Sequence, residues 1–402
     1  MNYVVLADAP VQGVTTIEEI PTLEVVYKIS ERCNLACDYC YFFFKGDDSY
    51  KSHPPLASGQ LTRSLVDFLN DAVSSYNIKT INLVLHGGEP LMMPKAKFIA
   101  LCETLKAEYV GKVPLNIAMQ TNGALITPEW IEILERFNVG VGVSFDGPAH
   151  INDQHRIDTK GRPSYAACRK GWDLLQACDG LNPPGLLSVL NPNEDADEIF
   201  DHFVDDLGAF HLNFLLPDYT HDTVPDGDYA IRVGEALIRI FNNWARRADS
   251  SLQVRFIQET VFPLFDLKSL AKARVVGEDL RNQMSISSNG EIHPEDTVKV
   301  LPGYHVSEFN VATSKFSDVC EGQTWKDMGV AALRPPEQCG TCEWLKICRG
   351  GRLHHRHSLS RGFDNPSVYC AGLKAYFEHI AAAAVCRGAD VDDLYNALTE
   401  AA

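Results

Sequence analysis

Cys33, Cys37 and Cys40 stand at C-x3-C-x2-C, directly after an apolar run from Leu23 to Ile29 that reads as a strand. Three thiolates so spaced at a strand-to-helix turn can hold three corners of a [4Fe–4S] cube. Four cysteines fill such a cube, so three leave one iron open to an outside ligand. The competing reading is a zinc knuckle or a disulfide set. Zinc asks for a fourth Cys or His at close, regular spacing, and Tyr41-Phe42-Phe43-Phe44-Lys45-Gly46 offers none. A second set, Cys339-x2-Cys342-x5-Cys348-x21-Cys370, has four members. It suits a closed [4Fe–4S] cube, or a four-cysteine zinc ribbon with His354, His355 and His357 nearby. Cys102, Cys168, Cys178 and Cys386 fall on or beside expected helices and read as small buried hydrophobes.

The elements that must position these thiols alternate. Strands are expected at Leu23–Ile29, Ile81–Leu85, Leu115–Met119, Val139–Val143, Gly185–Leu190 and His211–Leu216. Helices are expected at Gln60–Ser75, Ala96–Tyr109, from Thr127 (N-cap, with Pro128 in the first turn), at Tyr165–Ala177 and at Asp195–Asp206. Six βα-type units mean a parallel sheet covered by helices, short of a closed eight-fold barrel. In barrels of this kind the site lies at the C-terminal ends of the strands. Cys33–Cys40, Gly87-Gly88-Glu89-Pro90, Gln120-Thr121-Asn122-Gly123 and Ser144-Phe145-Asp146-Gly147-Pro148 each follow a strand, so they should meet at one mouth. Asp146-Gly147-Pro148 itself reads as a turn. Helices around Tyr229–Arg247 and Phe256–Lys268 come next. A hairpin follows, Met284–Ser287 and Glu291–His293 about an Asn289-Gly290 turn. Gly372–Cys386 and Val391–Ala401, the latter capped by Asp390, read as terminal helices. The division expected is an extension at 1–21 with room for a small hairpin, a barrel at 22–225, a helical bridge at 226–280 and a Cys-rich domain at 281–402.

The 402 residues suit two or three domains, and 45% hydrophobic content is ordinary for a globular protein. A net charge of −17 argues against nucleic acid or an anionic membrane as partner. No apolar run reaches about 18 residues, so no membrane span is expected. Nor is the start a convincing signal peptide, which points to the cytoplasm, where twelve cysteines suggest metal ligation over disulfides. The basic stretch from Lys346 to Arg361 reads as a solvated local patch, or else as a dock for an acidic peptide leader.

At Cys33–Cys40 the chain resembles the radical S-adenosylmethionine (SAM) enzymes, whose signature is C-x3-C-x-aromatic-C with Tyr39 in the aromatic place. The resemblance implies an α/β fold, a partial (β/α)6 TIM barrel, with SAM on the open iron of a [4Fe–4S] cluster. It assigns Gly87, Gly88, Glu89 and Pro90 to the SAM amino group, and Ser144 and Arg156 to its ribose and carboxylate, with Asn122 a further candidate for the SAM site. The Cys339 set resembles the distal auxiliary-cluster ligands of the SPASM region found in peptide-modifying relatives. Glu295 and Arg352 stand where that pattern places further cysteines, so one auxiliary [4Fe–4S] cluster is implied, not two. Asp296 keeps the place of an Asp that takes the substrate proton in sulfatase-type relatives; from its surroundings it should have a raised pKa, and the alternative is a turn cap or a pair with Lys299. The implied partners are a ribosomally made precursor peptide, with leader and core, and an external electron donor such as flavodoxin or ferredoxin. Tyr41–Phe44, Asn213–Asp218 and Ser287–Glu291 with Pro294–Thr297 resemble maturases that form cyclophane C–C crosslinks. Formylglycine formation, a thioether or an epimerisation are the alternatives, with a noncatalytic metal- and peptide-binding protein as a rival from another class.

Overall fold

The computed structural model describes residues 20–265 and 282–399. The expected N-terminal hairpin, the end of the Phe256–Lys268 helix and the 280/281 boundary lie outside the described residues.

Strands β1 (Ile20–Ser30), β2 (Ile78–Gly87), β3 (Leu115–Thr121), β4 (Gly140–Ser144), β5 (Gly185–Val189) and β6 (His211–Leu215) all form where apolar and β-branched residues recur. Two further short strands, β7 (Gln253–Val254) and β8 (Gln283–Ile286), extend the sheet, and β9 (Ile292–His293) pairs antiparallel with β8. The order is β7-β6-β5-β4-β3-β2-β1-β8-β9, parallel apart from that last pair. The two end strands are not paired with each other, so the sheet is an open arc. The expected hairpin is present, and its first strand lies beside β1, which puts residues 294–299 next to the cysteine loop.

Each strand shows its side chains alternately to two faces. In β1, Leu23, Val25, Tyr27 and Ile29 are fully buried against the helices, whereas Glu24 and Val26 are half-buried on the other face. In β4, Val141 and Val143 are buried, and Gly140, Gly142 and Ser144 face the inside of the arc. Polar groups pair across that inner face: Asn82 donates to Glu24 at 2.8 Å and Asn116 to Asn82 at 3.0 Å. Parallel sheets buried on both sides usually read as unbroken apolar runs. A polar, small-residue inner face instead lines a space for ligands.

Outside, Gly59–Ser75 turns Leu61, Leu65, Phe68, Leu69 and Ala72 inward, and Ser58 caps it by accepting from Leu61 N at 3.1 Å. Thr127 sits at the N-cap of Pro128–Phe137, but its hydroxyl bonds Glu129 at 2.6 Å rather than capping. The expected Asp195–Asp206 helix divides into Ala196–Asp201 and a wider π turn at His202–Asp206. Tyr229–Arg247 packs on Cys370–Cys386 through Gly234 and Gly372. A Cβ on Gly372 would lie 1.9 Å from the Ala230 carbonyl, so only glycine allows this approach. That contact fastens the four-cysteine region to the barrel. Asp390 caps Val391–Thr399 through the amides of Asp392 and Asp393.

The Lys346–Arg361 stretch departs from expectation. His354, His355, Arg356 and His357 are buried. Arg356 donates to the carbonyls of Phe363, Ala331 and Arg334, at 3.0, 2.8 and 3.1 Å. These are structural contacts within the fold, not a solvated basic surface. Cys386 is exposed and Cys178 half-buried, in contrast to Cys102 and Cys168, which are buried as expected. No described helix is long and apolar enough to cross a membrane.

Candidate active site

The loop after β1 carries Cys33, Cys37 and Cys40, all half-buried and none in a disulfide. Backbone amides turn toward the sulfurs: Leu35 N donates to Cys33 Sγ at 3.4 Å, and the amides of Phe42 and Phe43 face Cys40 at the start of the short helix Tyr41–Phe44. Burial pushes the thiol of Cys33 up to about 12 and that of Cys37 to about 11, with the neighbouring thiols adding to the effect. Three half-buried thiols whose ionisation burial and neighbouring charge oppose need a cationic centre among them to become thiolates.

The β2 loop locks onto this one. Gly88 N donates to Ser30 O at 2.8 Å and Glu89 N to Arg32 O at 2.7 Å. A Cβ on Gly88 would lie 2.4 Å from the Arg32 carbonyl, so the glycine is required by the cysteine loop itself. Glu89 is fully buried, and its carboxylate accepts from Thr121 Oγ1 at 2.7 Å, Leu91 N at 3.0 Å and Asn122 N at 2.8 Å. Burial still holds its pKa above the usual carboxylate range, though those bonds oppose the shift. The Glu89 side chain thus ties the end of β2 to the end of β3, its backbone N–H ties both to the loop after β1, and Pro90 opens the 3-10 turn Pro90–Met92. Asn122 completes the brace, donating to Asn34 at 2.8 Å and approaching Cys33 Sγ at 3.8 Å.

Ser144 accepts from Gln120 at 2.9 Å on the inner face. Arg156 is buried and donates to the Tyr39 hydroxyl at 2.8 Å; the same hydroxyl donates to Asp146. Asp146 is therefore more than a turn residue. Its buried carboxylate fixes the aromatic ring between Cys37 and Cys40. Arg156 Nε is buried with no hydrogen-bond partner among the described residues.

On β1 and β2, Lys28 and His86 are register neighbours. Lys28 Nζ pairs with Asp296 Oδ1 at 2.5 Å, and Tyr41 donates to Asp296 Oδ2. Burial would raise the Asp296 pKa, but Lys28 in particular, with His86 and Tyr41, outweighs it and holds the carboxyl down at about 2. The expected raised pKa is corrected to a lowered one, and the expected Lys299 pairing to Lys28. Lys299 instead reaches Asp47 at 3.5 Å and Ser287 at 3.2 Å. Glu295 accepts from Thr297 at 2.8 Å. Lys28, Tyr41, His86 and Asp146 were missed as site residues. A lysine inside the largely apolar run Leu23–Ile29 was the sign available.

Residues 27–202 match the sequence profile of the Radical SAM superfamily. The chain carries a radical SAM domain. The Serine-type anaerobic sulfatase-maturating enzyme of Bacteroides thetaiotaomicron is 25% identical over 382 residues, 90% of each chain. The solved structure titled native anSMEcpe with bound AdoMet and Cp18Cys peptide superimposes with a TM-score of 0.76 at 20% identity, covering 92% of this chain and 99% of that one. Streptococcus suis SuiB bound to precursor peptide SuiA gives 0.59 at 15%, covering 87% and 76%. Both structures share the fold.

This radical SAM enzyme uses the cofactors of its superfamily, a [4Fe–4S] cluster and SAM. The residues fit them: three thiols on one loop with no fourth protein ligand among the described residues, and beside them a buried guanidinium nitrogen, without a partner among those residues, that a carboxylate can take. When bound and reduced, the pair supplies a 5′-deoxyadenosyl radical able to abstract hydrogen.

Cys339, Cys342, Cys348 and Cys370 line one hollow with Trp344, Leu373 and Phe377. Arg349, Gly350 and Gly351 all have positive φ, at 46°, 86° and 85°, which wraps the backbone around Cys348 and aims the Gly350 amide at its sulfur. Burial pushes the Cys348 thiol up to about 12. Four converging thiols suit a closed metal centre. His354 and His355 lie apart from that hollow.

Proposed function

We propose that the enzyme modifies a ribosomally made peptide by abstracting hydrogen from a side chain, and that the bond made is a cyclophane C–C crosslink to an aromatic residue. The observation that carries the reading is the convergence of three thiols, with no fourth ligand among the described residues, at the mouth of an open arc whose inner face is polar and lined by small residues. Open ends leave room for a chain segment to lie across the strand ends. The relation to sulfatase-maturating enzymes over 90% of the chain supports a peptide as substrate.

In this reading Gly87, Gly88, Glu89 and Pro90 present their backbone to the SAM amino group, because the Glu89 carboxylate is already committed to Thr121, Leu91 and Asn122. Asn122, Ser144 and Arg156 face the rest of SAM, and Tyr39 is held by Asp146. The Cys339 set holds one auxiliary [4Fe–4S] cluster, and the segments 22–225 and 281–402 act as barrel and auxiliary domain. In this reading Glu295 and Asp296 are the candidate acceptors of the proton a crosslink releases, Asp296 only on leaving Lys28 and Tyr41. Leader and core peptide dock at the mouth, and a flavodoxin or ferredoxin in the cytoplasm supplies the electron.

Formylglycine formation is the second reading, favoured by the sulfatase-maturating relatives. Whether a short open reading frame for an aromatic-containing peptide lies beside the gene is the first observation to make, and co-expression of such a peptide, followed by its mass, separates the two. A crosslink removes two hydrogens; formylglycine from Cys exchanges sulfur for oxygen. An unmodified peptide with SAM still cleaved would sink both.

A further inference from the structure

Outside both cysteine sets, three ligand-type side chains come together from two distant segments. Asp218 follows the end of β6, and His354 and His355 lie on the short helix Leu353–Arg356. Their ligand atoms all fall within 4.8 Å of one another. The histidines are 2% and 1% exposed, with ring centres 3.8 Å apart, and the Asp218 side chain, at 24%, is the side open to solvent. Each ring has one nitrogen engaged and one left to ligate. His355 Nε2 donates to Pro217 O at 3.1 Å, and the Tyr369 hydroxyl donates to the same carbonyl at 2.6 Å. With its proton on Nε2, that ring carries its lone pair on Nδ1. His354 Nδ1 is 2.9 Å from Thr297 Oγ1, whose own hydrogen goes to Glu295 Oε2 at 2.8 Å. Thr297 has one hydroxyl hydrogen, so Nδ1 is the donor there, and a neutral His354 carries its lone pair on Nε2. That atom is buried, has no hydrogen-bond partner among the described residues, and lies 3.0 Å from Asp218 Oδ1.

We propose that Asp218, His354 and His355 bind one divalent transition-metal ion of the zinc class, with a fourth coordination position left open. A nitrogen lone pair and a carboxylate oxygen 3.0 Å apart repel each other unless a cation joins them. Zinc bonds of about 2.0–2.1 Å set neighbouring ligand atoms about 3.3 Å apart, so the spacing is near that of two corners of a metal shell. Two imidazoles with one carboxylate suit a borderline ion such as zinc. The support behind the ligands matches as well. A ligating histidine donates its second ring N–H to a carbonyl or carboxylate, which fixes its tautomer. Pro217 O does this for His355 directly, and the Glu295 carboxylate does it for His354 through Thr297. The Asp218 charge reaches Lys45, yet Lys45 Nζ lies over the Tyr219 ring at 4.4 Å rather than on the carboxylate. Three protein ligands are the number found where zinc keeps a position for water or a substrate atom; closed structural sites use four. The ion would also join the end of β6 to the C-terminal region. The inference does not rest on the peptide-modifying reading.

Zinc titration of the reconstituted holoenzyme tests this, with both clusters filled and loose metal removed on a chelating resin. In competition with a fluorescent zinc chelator, the wild type should take up about one zinc per chain. X-ray absorption at the zinc edge should show nitrogen and oxygen neighbours at about 2.0–2.2 Å, the outer-shell pattern of imidazole, and no sulfur at about 2.3 Å. Thr297→Val, which removes the acceptor behind His354, should weaken zinc binding by about 10–100-fold. Asp218→Ala, at the partly exposed ligand, and His354→Gln remove ligands and should weaken it further. About eight irons per chain in each variant is the sign that it has folded. Zinc should raise the melting temperature of the wild type in a concentration-dependent way, and that rise should vanish in Asp218→Ala. No zinc uptake by the wild type at micromolar free metal, a sulfur neighbour in the absorption spectrum, or unchanged affinity in both ligand variants would overturn the proposal. None of these results needs a peptide, so a failure here leaves the peptide-modifying reading standing, and an unmodified peptide leaves the zinc result standing.

Discussion

Cys33, Cys37 and Cys40 sit among groups with hydrogen-bonding capacity: Asn34, Asn122, Tyr39 and an arginine nitrogen without a partner. Cys339, Cys342, Cys348 and Cys370 line a hollow walled by Trp344, Leu373 and Phe377. The first set is carried by one loop held by neighbouring strand ends. The second is gathered from three short turns and the start of a helix, around a backbone wound through three successive positive-φ residues. The difference teaches what each is built for. A three-thiol set with polar neighbours is made to leave a metal corner open to a polar ligand. A four-thiol set with apolar walls is made to close around its metal and exclude one.

Breaking the first region should have the largest effect. The triple variant Cys33→Ala, Cys37→Ala, Cys40→Ala should form no 5′-deoxyadenosine, measured chromatographically after reduction, while keeping the second metal centre. Cys339→Ala with Cys348→Ala should do the converse: about half the iron lost, a lower melting temperature, and SAM cleavage retained.

The polar surroundings of the first region can be probed next. Lys28→Met leaves the Asp296 carboxylate buried without its cation. Chemical denaturation should show a loss of about 3–5 kcal/mol, the usual cost of stranding one member of a buried pair. Asp296 is held at about 2 against an ordinary 3.8. Its contribution is therefore present above the ordinary value and lost as pH falls through the folded one. Lys28→Met should flatten that acid limb; an unchanged limb would show that the pair does not carry it.

A smaller effect should come from His53, which lies 3.4 Å from Glu31 and 3.6 Å from Glu291. Burial disfavours its charge, but the bonds to Glu291 and Glu31 outweigh this and raise it from 6.5 to about 9. That stabilisation is complete below 6.5 and is lost as pH rises through 9. His53→Gln should remove on the order of 1–2 kcal/mol of pH-dependent stability in this window. Cys386→Ser, on an exposed thiol outside both sets, should stay within about 0.5 kcal/mol of wild type; a larger loss would give that thiol a role neither region predicts.

The strands and the two cysteine sets were legible in the sequence because apolar alternation and Cys spacing are local signals. Strand β7 was not, since two residues carry too little periodicity to be seen; the hairpin strand β8 was, but its place beside β1 was not, because a hairpin signal names only the strand across the turn. The buried charges were misjudged for a related reason. Arg356 and His354 lie in a run of basic residues whose composition suggests solvent, yet carbonyls of Phe363, Ala331 and Arg334, and the carboxylate of Asp218, far along the chain, draw them inward. The Asp296 pKa turned on Lys28, 268 positions earlier by residue number, a partner that no local pattern names.

The central claim, one open and one closed iron–sulfur site, is tested most directly by iron and sulfide analysis of anaerobically reconstituted protein. The account predicts about eight irons per chain in the wild type, and about four in the Cys33/Cys37/Cys40 variant and in the Cys339/Cys348 variant alike. SAM should perturb the electron paramagnetic resonance signal only where Cys33, Cys37 and Cys40 are intact. About twelve irons in the wild type, zinc in place of iron at the Cys339 set, or a SAM response that survives loss of Cys33, Cys37 and Cys40 would contradict it.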